Sequence, residues 1–191
     1  EKQEWIVNNN RQGGGLHIHS ESDTEKEVMT IYLAYISGVP RNKITKGLLN
    51  DEEDERVMKA CEILEDSEIF FVYDPKFTLP SIRESIKEYS SQYHIFPVCF
   101  DYLAPNGCLS SQMIAEYKNF IPDHQVLLMA SEALKLYAEE FDVYICTGMQ
   151  LNDTIKTIEF ADESTLSASK AVKNKLDGGC IVTYPKKKEL K

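Results

Sequence analysis

The chain has 191 residues, of which 42% are hydrophobic, and its formal net charge at pH 7 is −10. This size predicts one domain, residues 1–191, with a real core, and no apolar run approaches the roughly 18 residues of a membrane span. The acidic balance argues against a protein coated with basic surface for nucleic acid. It leaves room for a local basic loop, or for a ring of subunits that grips DNA at its centre.

The cysteines indicate the redox environment. They are five in number, widely spaced and without a C-x-x-C pair, and three of them lie in apolar, strand-like runs. This usage predicts reduced, buried thiols in a cytosolic protein. The polar start, Glu-Lys-Gln-Glu-Trp, predicts no secretory signal.

The first part of the chain predicts a helix end, a turn and a strand. Residues 1–12 are typical of the tail of a helix, and Gly13-Gly14-Gly15 predicts a helix-to-strand turn. This glycine run lacks the G-x-x-x-x-G-K-[ST] spacing of a phosphate-binding loop. The alternation of residues 16–19 predicts a strand with His17 and His19 on one face. A zinc site there is disfavoured, because no third ligand has suitable spacing.

Apolar periodicity then predicts helices and strands in alternation. The first helix spans residues 25–37, with Val28, Ile31, Tyr32 and Tyr35 on its inner face. Residues 41–49 show no clear element. The pattern continues with a helix at 52–64, buried through Val57, Ala60, Cys61 and Leu64, then a strand at 69–73 and a helix at 82–93.

The segment Phe96–Leu103, F-P-V-C-F-D-Y-L, is the centre of the predicted sheet. Its continuous apolar run predicts a strand buried on both faces, as in a parallel sheet. Asp101 follows that run, at the strand end where open α/β sheets bind ligands and where a carboxylate of nucleotide hydrolases holds Mg²⁺. The alternative is that Asp101 only caps the following turn.

The remaining elements complete a right-handed parallel α/β sheet. Residues 104–125 predict a long loop, because they contain Pro105, Asn106, Gly107 and Pro122 and no clear period. An amphipathic helix at 126–141, with Leu127, Ala130, Leu134, Tyr137 and Ala138 inward, leads to a buried strand at 143–147. A second loop at 153–169 and a last strand at 180–184 follow.

Four blocks of this sequence, in order, resemble the RecA-like ATPase domain of DnaB-type replicative DNA helicases, including their phage members. They are I-H-S-E-S-D (18–23), the segment 32–57 that begins Y-L-A-Y-I-S-G-V-P-R, F-D-Y-L (100–103), and L-K-L-Y-A-E-E-F-D-V-Y-I-C-T-G-M-Q-L-N (134–152). A weaker fifth block covers residues 166–182. The resemblance implies a RecA-like P-loop NTPase core, with a mostly parallel twisted sheet flanked by helices.

The resemblance also implies a catalytic set and its cofactors, ATP and Mg²⁺. Glu21 matches the glutamate that polarises the attacking water, Asp101 the Walker-B aspartate that holds Mg²⁺ through water, and Gln150 the sensor glutamine that contacts the γ-phosphate. All three follow predicted parallel strands, so the residues alone also place them at one edge of the sheet. The alternatives are an exposed strand-end acid for Glu21 and a turn residue for Gln150.

The two predicted loops fall where the family's DNA-binding loops lie. Lys118 belongs to the first and Lys156 to the second, where the resemblance implies contacts to single-stranded DNA. Tyr117 and Phe120 either stack on bases or make small core contacts. The family implies a hexameric homo-oligomer, a primase and a helicase loader as partners, and a cytoplasmic location in a bacterium or a phage-infected host, with no membrane partner.

The sequence departs from the family in three places. The phosphate-binding loop, which the family has one helix before the Glu21 strand, is missing from these residues, which begin about where that helix is expected. The family's arginine or lysine finger lies past the last core strand, where this sequence has only Lys186–Lys188; none can be assigned, although one of these lysines could serve. His19 and Ser22 stand where the family favours Ser and Met. An excised domain, omitted segments or a degenerate relative would each explain this, and we expect negligible ATPase from these 191 residues alone. Other RecA-superfamily ATPases that form filaments, and a scaffold that has lost catalysis, are the alternative functions.

Overall fold

A computed structural model describes residues 13–21, 25–150, 172, 175–180 and 182 of the protein. Within these residues, helices and strands alternate along most of the chain. In order they are β1 (Gly14–His19), α1 (Glu25–Ser37), α2 (Arg41–Lys46), α3 (Asp51–Glu65), β2 (Ile69–Tyr73), α4 (Leu79–Gln92), β3 (Ile95–Asp101), α5 (Gly107–Tyr117), α6 (Asp123–Phe141) and β4 (Tyr144–Thr147).

The four strands form one sheet in the order β2-β1-β3-β4, and every neighbouring pair is parallel. This confirms the predicted parallel α/β sheet. In the register, His19 of β1 is opposite Tyr73 of β2 and Asp101 of β3, so the strands end almost level. Their carboxyl ends therefore form one continuous edge.

The main core covers one face of this sheet. Leu16 and Ile18 of β1 and Val98 and Phe100 of β3 are at most 1% exposed. They pack in one hydrophobic cluster with buried residues of α4, α5 and α6, which include Ile82, Ile86, Leu109, Met113, Val126 and Ala130. Each Å² of apolar surface that is buried stabilises the fold by about 25 cal/mol. This cluster is therefore the main source of stability.

The opposite face is only partly covered, and here two predictions were wrong. Phe96 is 57% exposed and Cys99 is also exposed, so β3 is buried on one face rather than two. β4 likewise alternates between exposed and half-buried positions. An apolar run does not distinguish these cases, because successive side chains of a strand point to opposite faces.

Three helical predictions also require correction. Residues 104–125 are not one long loop, because α5 forms within them. Asn106 caps α5 by accepting a hydrogen bond from the Leu109 amide at 2.7 Å. The helix α2 lies in the segment without a predicted element, and on α1 the expected inner residues Ile31 and Tyr35 are 46% and 71% exposed.

The other helices agree with their patterns. Asn50 and Glu53 form a capping box at the start of α3, which satisfies free backbone amides there. Val57, Ala60 and Leu64 are buried as predicted, with Cys61 half-buried. In α6, Leu127, Ala130 and Leu134 are buried. No helix in the described ranges is long and apolar enough to cross a membrane.

The prediction of buried thiols was wrong for three of the five cysteines. Cys99, Cys146 and Cys180 are exposed, whereas Cys61 and Cys108 are partly buried, and all five are free. Cys99 and Cys146 are register partners on the open face of β3 and β4. Of the predicted last strand, Cys180 and Val182 are described and neither is in a strand. The predicted helix at 1–12 and loop at 153–169 lie outside the described residues.

The glycine run has a packing role rather than the predicted turn role alone. Gly13 has a φ of +91°, but Gly14 and Gly15 already belong to β1. The Gly14 amide donates to the His94 carbonyl at 2.6 Å. A Cβ atom at position 14 would overlap the Glu68 carbonyl oxygen, which is backbone and cannot easily move.

Gly14→Ala is therefore expected to lower the free energy of unfolding by about 1–3 kcal/mol, as overpacking does. Urea denaturation of the 191-residue chain measures it. Gly107→Ala is the matched control, because a Cβ there meets no described atom within 4 Å and alanine favours the first turn of α5. Equal stability of the two variants would contradict the assigned packing.

Candidate active site

The three residues predicted to be catalytic lie along the carboxyl edge of the sheet. Asp101 is the last residue of β3, Glu21 follows β1 by two residues, and Gln150 follows β4 by three. All three side chains are exposed. The edge is therefore open to a ligand, as expected at the carboxyl ends of parallel strands.

Tyr102 connects two of these side chains directly. The Tyr102 hydroxyl donates a hydrogen bond to Glu21 Oε1 at 2.9 Å. The Tyr102 hydroxyl oxygen also accepts a hydrogen bond from Gln150 Nε2 at 2.9 Å. Glu21 and Gln150 are thus brought together through one phenol group, immediately after Asp101. Tyr102 belongs to the F-D-Y-L motif, but the sequence pattern did not predict a role for it.

Backbone hydrogen bonds hold the three strand ends in place. The Ser20 amide and hydroxyl both donate to the Asp101 carbonyl, at 3.0 and 3.2 Å. The Leu103 amide donates to the Gly148 carbonyl at 3.0 Å. These bonds connect the segment after β1 to β3, and the segment after β3 to the one after β4, so the side chains at the edge start from a fixed frame.

The charges at this edge affect Tyr102. Partial burial raises the pKa of the Tyr102 hydroxyl, and the hydrogen bond to the Glu21 carboxylate and the charges of Glu21 and Asp101 raise it further. The amide of Gln150 acts in the opposite direction, since it donates to the phenol oxygen. Tyr102 consequently stays protonated near neutral pH and can donate to Glu21.

Two histidines of β1 lie on the same sheet face as Asp101. His19 is 1% exposed and stacks on Tyr73 with ring centroids 5.2 Å apart. His17 is 9% exposed, and its Nδ1 lies 3.2 Å from the Tyr32 hydroxyl. Among the described residues, neither nitrogen of His19 has a hydrogen-bond partner. Burial, and secondarily His19, lowers the pKa of His17 below 6.5, whereas Asp101 opposes that shift.

This shift makes stability depend on pH. Above its ordinary pKa of 6.5, His17 is neutral in both folded and unfolded chains. As the pH falls below that value, the unfolded chain binds a proton that the folded chain resists, so stability decreases toward the lower folded-state pKa. The free energy of unfolding, measured with urea at about pH 7.5 and about pH 5.5, is expected to decrease less between these two pH values in His17→Gln than in the wild type. The same decrease in His17→Gln as in the wild type would contradict this role of His17. The control is His94→Gln, at an exposed histidine.

The donor set at this edge suits magnesium. No group of three or more His, Cys, Asp or Glu side chains in the described part of the chain could enclose a metal ion. Mg²⁺ prefers oxygen ligands and keeps several waters, so one or two carboxylates and phosphate oxygens commonly hold it. The exposed Asp101 carboxylate could provide such a ligand, directly or through water.

The first predicted DNA-binding residue lies between α5 and α6. Lys118 follows α5 as its C-cap residue with a φ of 56°, and it is exposed. Tyr117 is 50% and Phe120 is 82% exposed. A core position is therefore wrong for Phe120, and both rings are open to solvent. The second predicted residue, Lys156, lies outside the described residues.

Comparison with known proteins gives the family. The model of the DnaB-like helicase C-terminal domain matches residues 3–173. The chain belongs to this family. The match includes Glu21, Asp101, Tyr102 and Gln150.

Two curated relatives extend the comparison. The chain is 31% identical over 192 residues to the SPbeta prophage-derived uncharacterized protein YorI of Bacillus subtilis (strain 168), covering 98% of this chain and 38% of YorI. It is 33% identical over 102 residues to the replicative DNA helicase DnaB of Mycoplasma pneumoniae, covering 52% of this chain and 20% of that protein. The chain thus spans well under half the length of these relatives.

Solved structures show the same fold. The ATPase domain of G40P superposes with a TM-score of 0.71 at 16% identity, covering 86% of this chain and 57% of that one. A DnaB-like replicative helicase, solved with its interactions with primase, gives a TM-score of 0.71 at 15% identity over 86% of this chain and 39% of that one. These matches confirm the predicted RecA-like fold.

Proposed function

We propose that this chain is part of the ATP-hydrolysing motor domain of a replicative DNA helicase. In that function, subunits assemble as a hexameric ring and hydrolyse ATP with Mg²⁺ at the contacts between them. The ring moves along single-stranded DNA and unwinds the duplex in the cytoplasm of a bacterium or a phage-infected host. A primase and a helicase loader are the proposed further partners, and the structurally similar DnaB-like helicase interacts with primase.

One observation carries this proposal. Within a chain of the DnaB-like helicase family, Glu21 and Gln150 are joined through Tyr102 beside the Asp101 carboxylate. Phosphoryl transfer to water needs a group that orients the water, a carboxylate for the metal and a donor to the transferred phosphate. The three exposed side chains at this edge have the chemistry for these functions.

Each residue has a separate proposed part. Mg²⁺, when bound, would neutralise charge on the phosphates. Asp101 would hold that ion, Glu21 would orient and polarise the attacking water, and the Gln150 amide would donate to the γ-phosphate. The 191 residues contain no G-x-x-x-x-G-K-[ST] motif, so the activity is proposed for the full-length protein together with a phosphate-binding loop.

ATP hydrolysis by the full-length protein, with and without single-stranded DNA, tests the function. We expect DNA-stimulated turnover that needs Mg²⁺ and is lost in Asp101→Asn. A wild-type protein that binds DNA as a ring but never hydrolyses ATP would favour a scaffold that has lost catalysis. Assembly into open filaments on DNA would favour a recombinase-like ATPase instead.

Single-stranded DNA binding by variants in the exposed segment 117–120 is a second, independent test of the function. Phe120→Ala is expected to weaken single-stranded DNA binding by the full-length protein about 5- to 150-fold, because one base–aromatic stack contributes about 1–3 kcal/mol. Lys118→Ala should reduce the slope of log K against log salt by about 0.7 for each phosphate that the lysine neutralises. Lys59→Ala on α3 serves as a control for charge alone. Unchanged affinity in both test variants would remove this segment from the DNA interface.

A further inference from the structure

We propose that Tyr102 is a positioning residue that couples the proposed sensor, Gln150, to the proposed water-activating base, Glu21. This inference rests on the proposed function and extends it to a residue outside the predicted catalytic set. The Tyr102 hydroxyl contacts both side chains, donating to Glu21 and accepting from Gln150 at 2.9 Å each.

The direction of the two hydrogen bonds gives the coupling its physical basis. When the Gln150 amide donates to the phenol oxygen, it polarises the O–H group and strengthens the bond that this group donates to the Glu21 carboxylate. When a phosphate oxygen competes for the Gln150 amide, that support weakens. The Glu21 carboxylate, still oriented by the Tyr102 hydroxyl, would then accept a proton from water more readily at the moment when the sensor is engaged.

The hydrogen bonds of the backbone around Tyr102 favour this coupling. The residue is part of the segment after β3, which the Leu103–Gly148 bond ties to the segment after β4. On its other side, Ser20 ties the segment after β1 to the Asp101 carbonyl. The segments that carry Glu21 and Gln150 are therefore both tied to β3 or to the segment after it, next to Tyr102. The phenol can thus transmit a change from Gln150 to Glu21 without a shift of the sheet.

The first test measures the link itself, without nucleotide. In ¹H–¹⁵N spectra of the 191-residue chain, the Gln150 side-chain amide signals should move in Tyr102→Phe, which keeps the ring and removes only the hydroxyl. They should also move in Glu21→Gln, because the phenol connects Glu21 to Gln150. Tyr144→Phe, at an exposed tyrosine at the opposite end of β4, should leave them in place.

The second test measures the consequence for hydrolysis in the full-length protein. Tyr102→Phe is expected to lower kcat about ten- to a hundredfold, the range for removing one hydrogen bond to a charged group, with KM for ATP nearly unchanged. In a Glu21→Gln background the same change should lower kcat little further, since the carboxylate base that Tyr102 positions has already been replaced by a neutral amide. An equal loss in both backgrounds would show that Tyr102 does not act through the Glu21 carboxylate, which would overturn the coupling.

The outcomes separate this inference from the proposed function. A wild-type protein without ATPase would overturn the function and the catalytic part of the inference, whereas the Gln150 signals would still show whether the link exists. Robust ATPase with Gln150 signals and kcat unchanged in Tyr102→Phe would overturn the coupling alone. Movement of the signals together with a kcat-specific loss that disappears in Glu21→Gln supports both.

Discussion

Glu21→Gln is expected to lower the kcat for DNA-stimulated ATP hydrolysis by about two to four orders of magnitude, the usual contribution of a positioned general base. Glutamine has the size and shape of glutamate, and its carbonyl oxygen can still accept the hydrogen bond from Tyr102. The substitution therefore removes the negative charge that polarises water while leaving the local contacts in place. The full-length protein with saturating Mg²⁺, ATP and single-stranded DNA is the system in which to measure it.

Binding should be much less affected than turnover. Glu21 is proposed to act on water, so the affinity for a fluorescent ATP analogue should remain within a few-fold of the wild type. Glu65→Gln, at the exposed end of α3, makes the same chemical change away from the strand ends of the site and should keep normal kcat. A Glu21→Gln protein with more than half of wild-type kcat would remove Glu21 from the catalytic role.

The position of this site was predictable because it depends on topology. Strands that alternate with helices form a parallel sheet, and the carboxyl ends of parallel strands meet at one edge. The strand pattern therefore predicts Glu21, Asp101 and Gln150 at one place, and the structure brings them to one edge. A metal-binding role for Asp101 followed from its strand-end position, whereas the roles of Glu21 and Gln150 came from the family resemblance; all three roles stay predictions.

The contacts within the site were not predictable in the same way. The bridge made by Tyr102 depends on how the segments after three different strands sit relative to each other, and no local pattern encodes that. The helix α5 was missed because glycine and serine residues weaken its propensity. It depends instead on the Asn106 cap and on burial of Leu109 and Met113, which tertiary packing provides.

The largest expected loss of stability comes from the core directly below this edge. Phe100 is completely buried in β3, one residue before Asp101. Its ring packs edge-on against the ring of Phe77, with the two ring centroids 4.9 Å apart. Phe100→Ala is expected to lower the free energy of unfolding by about 3–5 kcal/mol, the range for a buried phenylalanine. The total free energy of unfolding of a typical domain is about 5–15 kcal/mol, so this one substitution would remove a large share of it.

Urea denaturation of the 191-residue chain would measure this loss, with Phe120→Ala as the matched control. The control removes the same ring from a side chain that is 82% exposed, so stability should change by less than about 0.5 kcal/mol. In the double variant Phe77→Ala/Phe100→Ala the loss should be smaller than the sum of the single losses, because the two rings pack against each other. Full additivity would mean that the rings are stabilised independently.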